Sequence, residues 1–201
     1  MAERADLSQH HRMDDIVKQA LKKWPNVPHC HGWLALDARG DWYLRDDQVQ
    51  AAGPFPRVKG ERVVHEKLRE FIERNYLVDE SGGWFFQNGP QRVYVELEAS
   101  PWVWRLQDGP ATGAPVVTSH TGLLTKFESA WLDESGRLFL ATDLGFGIVH
   151  SLDMGIAADA VEAGAWSPVD ALFESMPERF GYRLIPKHES PPSPANPTTA
   201  G

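Results

Sequence analysis

Four histidines, one cysteine and a pair of carboxylates are the residues of this chain whose types and spacing can do chemistry. His29-Cys30-His31 opens a segment of extended character, and residues two apart on a strand share a face, so the two imidazoles can share a cation. With His120 and His150 as further ligands and Glu96 as acid or base, the set describes a metal-dependent hydrolase. No second ligand pair stands at a recognisable metal spacing, and the plainer reading gives these imidazoles structural roles. Cys30 sits between two bases, which is how a thiolate is made. Adjacent strand residues point to opposite faces, however, so neither imidazole is well aimed at the sulfur. Along Arg92-Val93-Tyr94-Val95-Glu96-Leu97-Glu98, Val93, Val95 and Leu97 share one face while Tyr94, Glu96 and Glu98 share the other. Two carboxylates at that spacing can hold a cation or move a proton. They can equally form a solvated face paired with a cross-strand arginine such as Arg105.

Two loops complete the candidate set. Gln87-Asn88-Gly89-Pro90-Gln91-Arg92 is a polar turn whose amides and guanidinium can recognise an anion or a peptide, with Gln87, Asn88, Gln91 and Arg92 as the recognising side chains. Asn-Gly-Pro is also a strong turn formula that needs no ligand. In Asp143-Leu144-Gly145-Phe146-Gly147-Ile148-Val149-His150, Gly145 and Gly147 let the backbone approach a ligand or a neighbouring element closely, and Asp143 and His150 place polar groups at its ends. The stretch lacks the third glycine of a dinucleotide fingerprint. Ser119-His120 are sequence neighbours, which does not make a catalytic triad, and the chain has no Gly-x-Ser-x-Gly elbow.

These residues must be carried by a fold that the composition bounds. The chain has 201 residues, 42% of them hydrophobic, which is enough for a sizeable core. Twenty Lys and Arg stand against 28 Asp and Glu, a formal net charge of −8. Such a surface repels phosphate backbones and anionic headgroups, so neither nucleic acid nor membrane is the expected partner. No apolar run approaches the roughly 18 residues of a spanning helix, and the polar start is unlike a signal peptide. With a single cysteine no intrachain disulfide can form, which fits a reducing, cytoplasmic location. No cofactor is expected.

Between its ends the chain reads as α+β. Asp37-Ala38-Arg39-Gly40, Asp79-Glu80-Ser81-Gly82 and Asp133-Glu134-Ser135-Gly136 each lie between apolar segments of strand character. Aspartate closes a turn with its side chain and glycine takes positive φ, so three antiparallel β-hairpins with Asp-x-x-Gly turns are predicted. Two or three helices pack with them. The first follows a cap at Asp14 or Asp15 and presents Ile16, Val17, Ala20, Leu21 and Trp24; the second presents Val63, Val64, Leu68, Phe71 and Ile72; the third runs over 152–163 and stops at Gly164. A helix follows the first and third hairpins, which points to an internal duplication. The domain is expected to span 13–185, with any division into two packed lobes near 107–115. Residues 1–12 and the proline-rich 186–201 read as a disordered extension and tail.

His31-Gly32-Trp33-Leu34, the run from Trp84 through Gln87-Asn88-Gly89-Pro90-Gln91-Arg92-Val93-Tyr94-Val95 to Glu98, Ser119-His120-Thr121-Gly122 and Thr142 to Gly147 together resemble a bacterial family known only as a protein of unknown function. The similarity covers Met13 to Trp166, and the family implies no activity or ligand. The order from the aromatic strand through Arg92-Val93-Tyr94-Val95-Glu96 to Pro101-Trp102-Val103 more distantly resembles a second uncharacterised bacterial family. That likeness implies a mixed α/β fold built from repeated motifs, with a regulatory or signalling role; the chain departs from it at Asp143 to His150. The leading expectation is a non-catalytic binding or regulatory module for a small molecule or protein partner. The alternatives are the metal-dependent hydrolase and a protein that self-associates through some of its eight tryptophans.

Overall fold

A computed structural model describes residues 14–109 and 114–186. The expected extension 1–12, the tail from 187 onward and the middle of the expected break near 107–115 lie outside the described residues. The fold is α+β, with two mixed sheets and five α-helices in place of the two or three expected. The first part runs α1 (Asp15–Lys23), β1 (Cys30–Leu36), β2 (Trp42–Leu44), α2 (Asp47–Ala52), β3 (Glu61–Arg62), α3 (Glu66–Arg74), β4 (Tyr76–Val78), β5 (Trp84–Asn88) and β6 (Gln91–Leu97). The second runs β7 (Trp102–Gln107), β8 (Val116–Ser119), β9 (Leu124–Thr125), β10 (Phe127–Leu132), β11 (Leu138–Thr142), β12 (Gly145–Val149), α4 (Met154–Glu162), β13 (Val169–Asp170) and α5 (Met176–Phe180).

The two sheets share one plan. Their orders are β3-β2-β1-β6-β5-β4 and β13-β10-β11-β12-β7-β8-β9. Without β13, each is two antiparallel three-stranded meanders joined at the centre by a parallel pair, β1 with β6 and β7 with β12. The register repeats too. Adding 54 to both numbers of Tyr76↔Phe86, Leu77↔Phe85, Phe85↔Tyr94 and Asn88↔Gln91 gives the observed Ala130↔Leu140, Trp131↔Phe139, Phe139↔Ile148 and Thr142↔Gly145. This register aligns Asp79–Gly82 with Asp133–Gly136, whereas the sequence pattern of hairpin then helix had paired the first corner with the third.

Aspartate and glycine act the same way at three strand connections. Asp37 Oδ1 accepts from the N–H groups of Arg39 and Asp41, Asp79 Oδ1 from Ser81 and Gly83, and Asp133 Oδ1 from Ser135 and Arg137. In each, the glycine N–H returns to the aspartate carbonyl, and that glycine holds φ near +80°. At a fourth connection Ser119 Oγ accepts from the Leu123 N–H, and Gly122 N–H donates to the Ser119 carbonyl.

A continuous apolar cluster joins the sheets. Tyr76 and Trp84 meet Trp102 at 5.9 and 5.3 Å between ring centroids, and the Tyr76 hydroxyl donates to the Pro101 carbonyl at 3.1 Å. The opposite side of the second sheet is covered from the C-terminal end, Phe180 stacking on Phe146 at 3.7 Å and Phe173 lying against Phe139. The α1 stripe is only partly right. Val17 is buried, but Ile16 is 80% and Trp24 51% exposed, so the helix rolls onto its Val17 side. The Asp14 side chain caps nothing; it meets the Asn75 amide and the Arg74 guanidinium instead.

Gly147 stands where β12 passes beneath Trp104. A Cβ there would lie 2.6 Å from both the Trp102 carbonyl oxygen and Trp104 Nε1. Gly147→Ala is therefore expected to destabilise by roughly 2 kcal/mol, the scale of overpacking a tight core, measurable by urea unfolding.

Candidate functional site

Strand alternation decides which side chains of the first sheet are free of the core. On β6, Val95 and Leu97 are buried in the common cluster, which turns Arg92, Tyr94 and Glu96 to the outer face. Phe85 and Gln87 join them from β5, being the register partners of Tyr94 and Arg92. Each member of this row has a distinct engagement. The Arg92 guanidinium lies over the Phe85 ring at 4.5 Å. The Tyr94 hydroxyl donates to Asp79 Oδ2 at 2.8 Å, while His31 stacks on its ring at 4.4 Å and His29 meets it edge-on at 5.9 Å. Glu96 faces the buried Arg45 at 3.6 Å, and Arg45 also donates to the carbonyls of Val58 and Gly53.

Glu98, just past the strand, completes an ionic cluster. Lys59 reaches from the loop before β3 to Asp37 Oδ2 at 2.8 Å and Glu98 Oε2 at 3.3 Å, and the Tyr43 hydroxyl donates to the same Asp37 oxygen at 3.3 Å. Burial pushes the Asp37 carboxyl up, but the Lys59 bond and the Asp41 and Arg39 N–H groups outweigh it and hold the group below its ordinary value. Burial likewise opposes the charge on Lys59, yet Asp37 and Glu98 raise it above the usual lysine value. The sequence reading had offered Arg105 as partner for the Glu96–Glu98 pair. That guanidinium instead grips Asp153 at 2.6 and 3.2 Å, leaving the two glutamates to Arg45 and Lys59.

Asp79 repeats the Asp37 arrangement: burial raises its carboxyl, and the Ser81 hydroxyl, the Tyr94 hydroxyl and two turn N–H groups reverse that, for a net lowering. The Tyr94 phenol is raised, first by burial and then by Asp79, so it stays protonated at neutral pH. Burial also pushes the Cys30 thiol up, opposite to the activation a nucleophile needs.

The eight loop residues named from sequence separate into two places. Gln87, Asn88, Gln91 and Arg92 gather at the β5–β6 corner beside His29 and His31. Gln87 Nε2 donates to the Gly89 carbonyl and Gln91 Nε2 to the Pro28 carbonyl at 3.0 Å. Asp143, Gly145, Gly147 and His150 lie in the second sheet. Asp143 Oδ1 accepts from the Thr125 hydroxyl at 2.5 Å and the Lys126 N–H at 2.9 Å, while Gly145 packs on the Trp102 indole and Gly147 on the Trp102 backbone and the Trp104 indole. Burial and then the Arg105 charge hold His150 below the ordinary histidine value, and its Nδ1 accepts from the Leu152 N–H at the start of a short 3₁₀ turn.

The four histidines do not converge. His29 and His31 flank Tyr94, whereas His120 sits among Trp42, Tyr76 and Trp102 with Nδ1 accepting from the Val103 N–H. Among the described residues no group of three His, Cys, Asp or Glu is placed to hold a metal ion. Sequence reasoning missed Asp79, Lys59 and Arg45 as members of the outer face. The available signal was partial: a turn aspartate spends one oxygen on its own backbone and keeps the other for a side chain, but nothing local says which.

A family model described as "Protein of unknown function (DUF2946)" matches residues 13–187. No curated protein matches the chain. Two solved structures are similar. A DUF1285 family protein from Silicibacter pomeroyi DSS-3 is 11% identical, with a TM-score of 0.45, covering 74% of this chain and 85% of that one. A DUF1285 family protein from Shewanella baltica OS155 is 14% identical, with a TM-score of 0.43, covering 64% and 91%. No helix among the described residues is long and apolar enough to cross a membrane.

Proposed function

We propose, starting from a chain that belongs to the family described as "Protein of unknown function (DUF2946)", that it is a binding or regulatory module whose recognition surface is the outer face of the first sheet. Arg92 is the centre of that surface, with Asn88 and Gln91 beside it and Gln87 buried beneath, bonded to the Gly89 carbonyl. One observation carries the reading: Arg92 is only half-buried, lies over the Phe85 ring at 4.5 Å, and forms no ion pair with a carboxylate among the described residues. Neighbouring ions are spoken for, Glu96 by Arg45 and Glu98 by Lys59. A guanidinium on a rigid strand that bonds the Tyr94 hydroxyl but no carboxylate keeps donors for a partner, since Arg binds planar and anionic partners through stacking and paired N–H bonds.

The same saturation favours binding over catalysis. Asp37, Asp79, Asp133 and Asp153 each accept from backbone N–H groups and from a cation or hydroxyl, an arrangement that holds shape. The Asp143 to His150 stretch is left out of the surface because its glycines pack on indoles. The reading includes an internal duplication with three Asp-x-x-Gly hairpins, supported by the shared strand order and the constant 54-residue register.

To test the surface, wild-type and Arg92→Ala protein are compared as baits, with a thermal melt to show that the variant folds. The expected result is loss of the wild-type partner or of ligand-induced stabilisation. A folded variant that keeps the same partners rejects this face.

A further inference from the structure

Residues 16–36 and residues 81–95 contain no aspartate or glutamate, and neither do residues 109–127. The chain as a whole has 28 acidic residues and a net charge of −8, so two such stretches would mean little if they lay apart. The fold joins the first two. Cys30 pairs with Val93, Gln91 Nε2 donates to the Pro28 carbonyl, and a Cβ on Gly89 would lie 3.9 Å from the Ala20 Cβ. The corner they make carries His29 and His31 on Tyr94, and Arg92. Asp79 reaches it through Tyr94, but that carboxylate already accepts four donors from Ser81, Gly83 and Tyr94. All four donors are neutral, so the carboxylate keeps its charge, and Arg92, which also meets Tyr94, is the corner's cation.

The second sheet supplies an independent comparison. Adding 54 to Phe85 and Arg92 gives Phe139 and Phe146. There the outer ring, Phe146, is covered by Phe180 at 3.7 Å with an 8° interplanar angle. At the matching register the first sheet presents a guanidinium on Phe85 instead of a second ring. One copy of the plan fills this position with its own C-terminal aromatic; the other holds a cation there, flanked by imidazoles.

We propose that Arg92, with His29 and His31, binds a small oxyanion, the carboxylate or phosphate group of a small molecule, at this corner. The inference rests on the recognition surface proposed above and adds the chemistry of what it accepts. Arg92 supplies charge-assisted donors above the Phe85 ring, and the two imidazoles on Tyr94 supply further ring N–H donors.

The test titrates the full chain by calorimetry with inorganic phosphate and, separately, with benzoate. Saturable binding of at least one is expected, with Arg92→Ala weakening it about tenfold or more, the scale of a hydrogen bond to a charged group. Arg92→Lys should recover only part, because an ammonium cannot fork. Preference for phosphate would assign a phosphoryl group; preference for benzoate would assign a carboxylate on a planar body. If Arg92→Ala does not fold, the double variant His29→Gln with His31→Gln takes its place and must also weaken binding. Absence of binding by both probes, or equal binding by wild type and variants, overturns the proposal. If the anions fail while a folded Arg92→Ala still loses a partner on the bait, the anion assignment falls and the surface stands; if both fail, both fall.

Discussion

Trp104→Ala is expected to lower stability by about 3–5 kcal/mol, the range for removing a large aromatic from a core that cannot close around the gap. Trp104 is fully buried, stacks on Trp102 at 5.9 Å, and sends its indole N–H to the Leu140 carbonyl at 3.1 Å. That bond crosses above Gly147, so the indole ties β7 to β11 over the strand between them. Truncation leaves a cavity and removes that cross-strand hydrogen bond together. Trp104→Phe keeps most of the volume and loses the donor, so its cost should be clearly below that of the alanine variant, on the order of the lost hydrogen bond, about 1 kcal/mol. Equal losses in the two variants, measured by urea unfolding, would remove the packing explanation.

The second large effect belongs to Asp37. Asp37→Asn is expected to cost about 2–3 kcal/mol near pH 7, a value kept below that of a fully buried ion pair because Lys59 is 36% exposed and its charge is screened. The sign of the pH dependence follows from the two groups. The carboxyl is lowered on folding, so its contribution is complete above the ordinary aspartate value near 3.9 and fades as pH falls through its folded value. Lys59 is raised, so its contribution is complete below about 10.4 and fades as pH climbs through its folded value. The difference between wild type and variant should therefore be flat from about pH 5 to pH 9 and shrink at both ends. Melting temperatures across that range check it; a gap that widens in acid would contradict the ion pair. Because Lys59 pins the loop before β3, the variant should also be cut faster there by a protease.

What could be read from the amino acids follows the range of the forces involved. The alternation of Arg92 to Glu98 was legible, since a strand's faces are set by its own period, and Val95 and Leu97 are indeed buried. The gathering of Gln87, Asn88, Gln91 and Arg92 at one corner was legible for the same local reason. Partners across the sheet were not: Glu96 finds Arg45 and Glu98 finds Lys59, both set by which strand lies alongside. The Ile16 and Trp24 error has a related cause. A nine-residue helix offers two overlapping stripes, and tertiary packing chose the one centred on Val17. Gly145 and Gly147 announced a close approach correctly in kind, but the neighbour is an indole of the chain itself, which spacing alone does not reveal. His120, one of four histidines grouped by type, sits in the aromatic interior among Trp42, Tyr76 and Trp102, whereas His29 and His31 lie against Tyr94.

In each sheet the outer meanders are made from sequence neighbours, but the central joint is not: Leu34 waits for Val95, and Trp104 for Val149. During synthesis the apolar Leu34-Ala35-Leu36 run leaves the ribosome with one flank open until ~60 further residues have followed, a delay in which a stray strand can claim it. Chaperone demand should therefore peak on nascent chains that stop short of Val95.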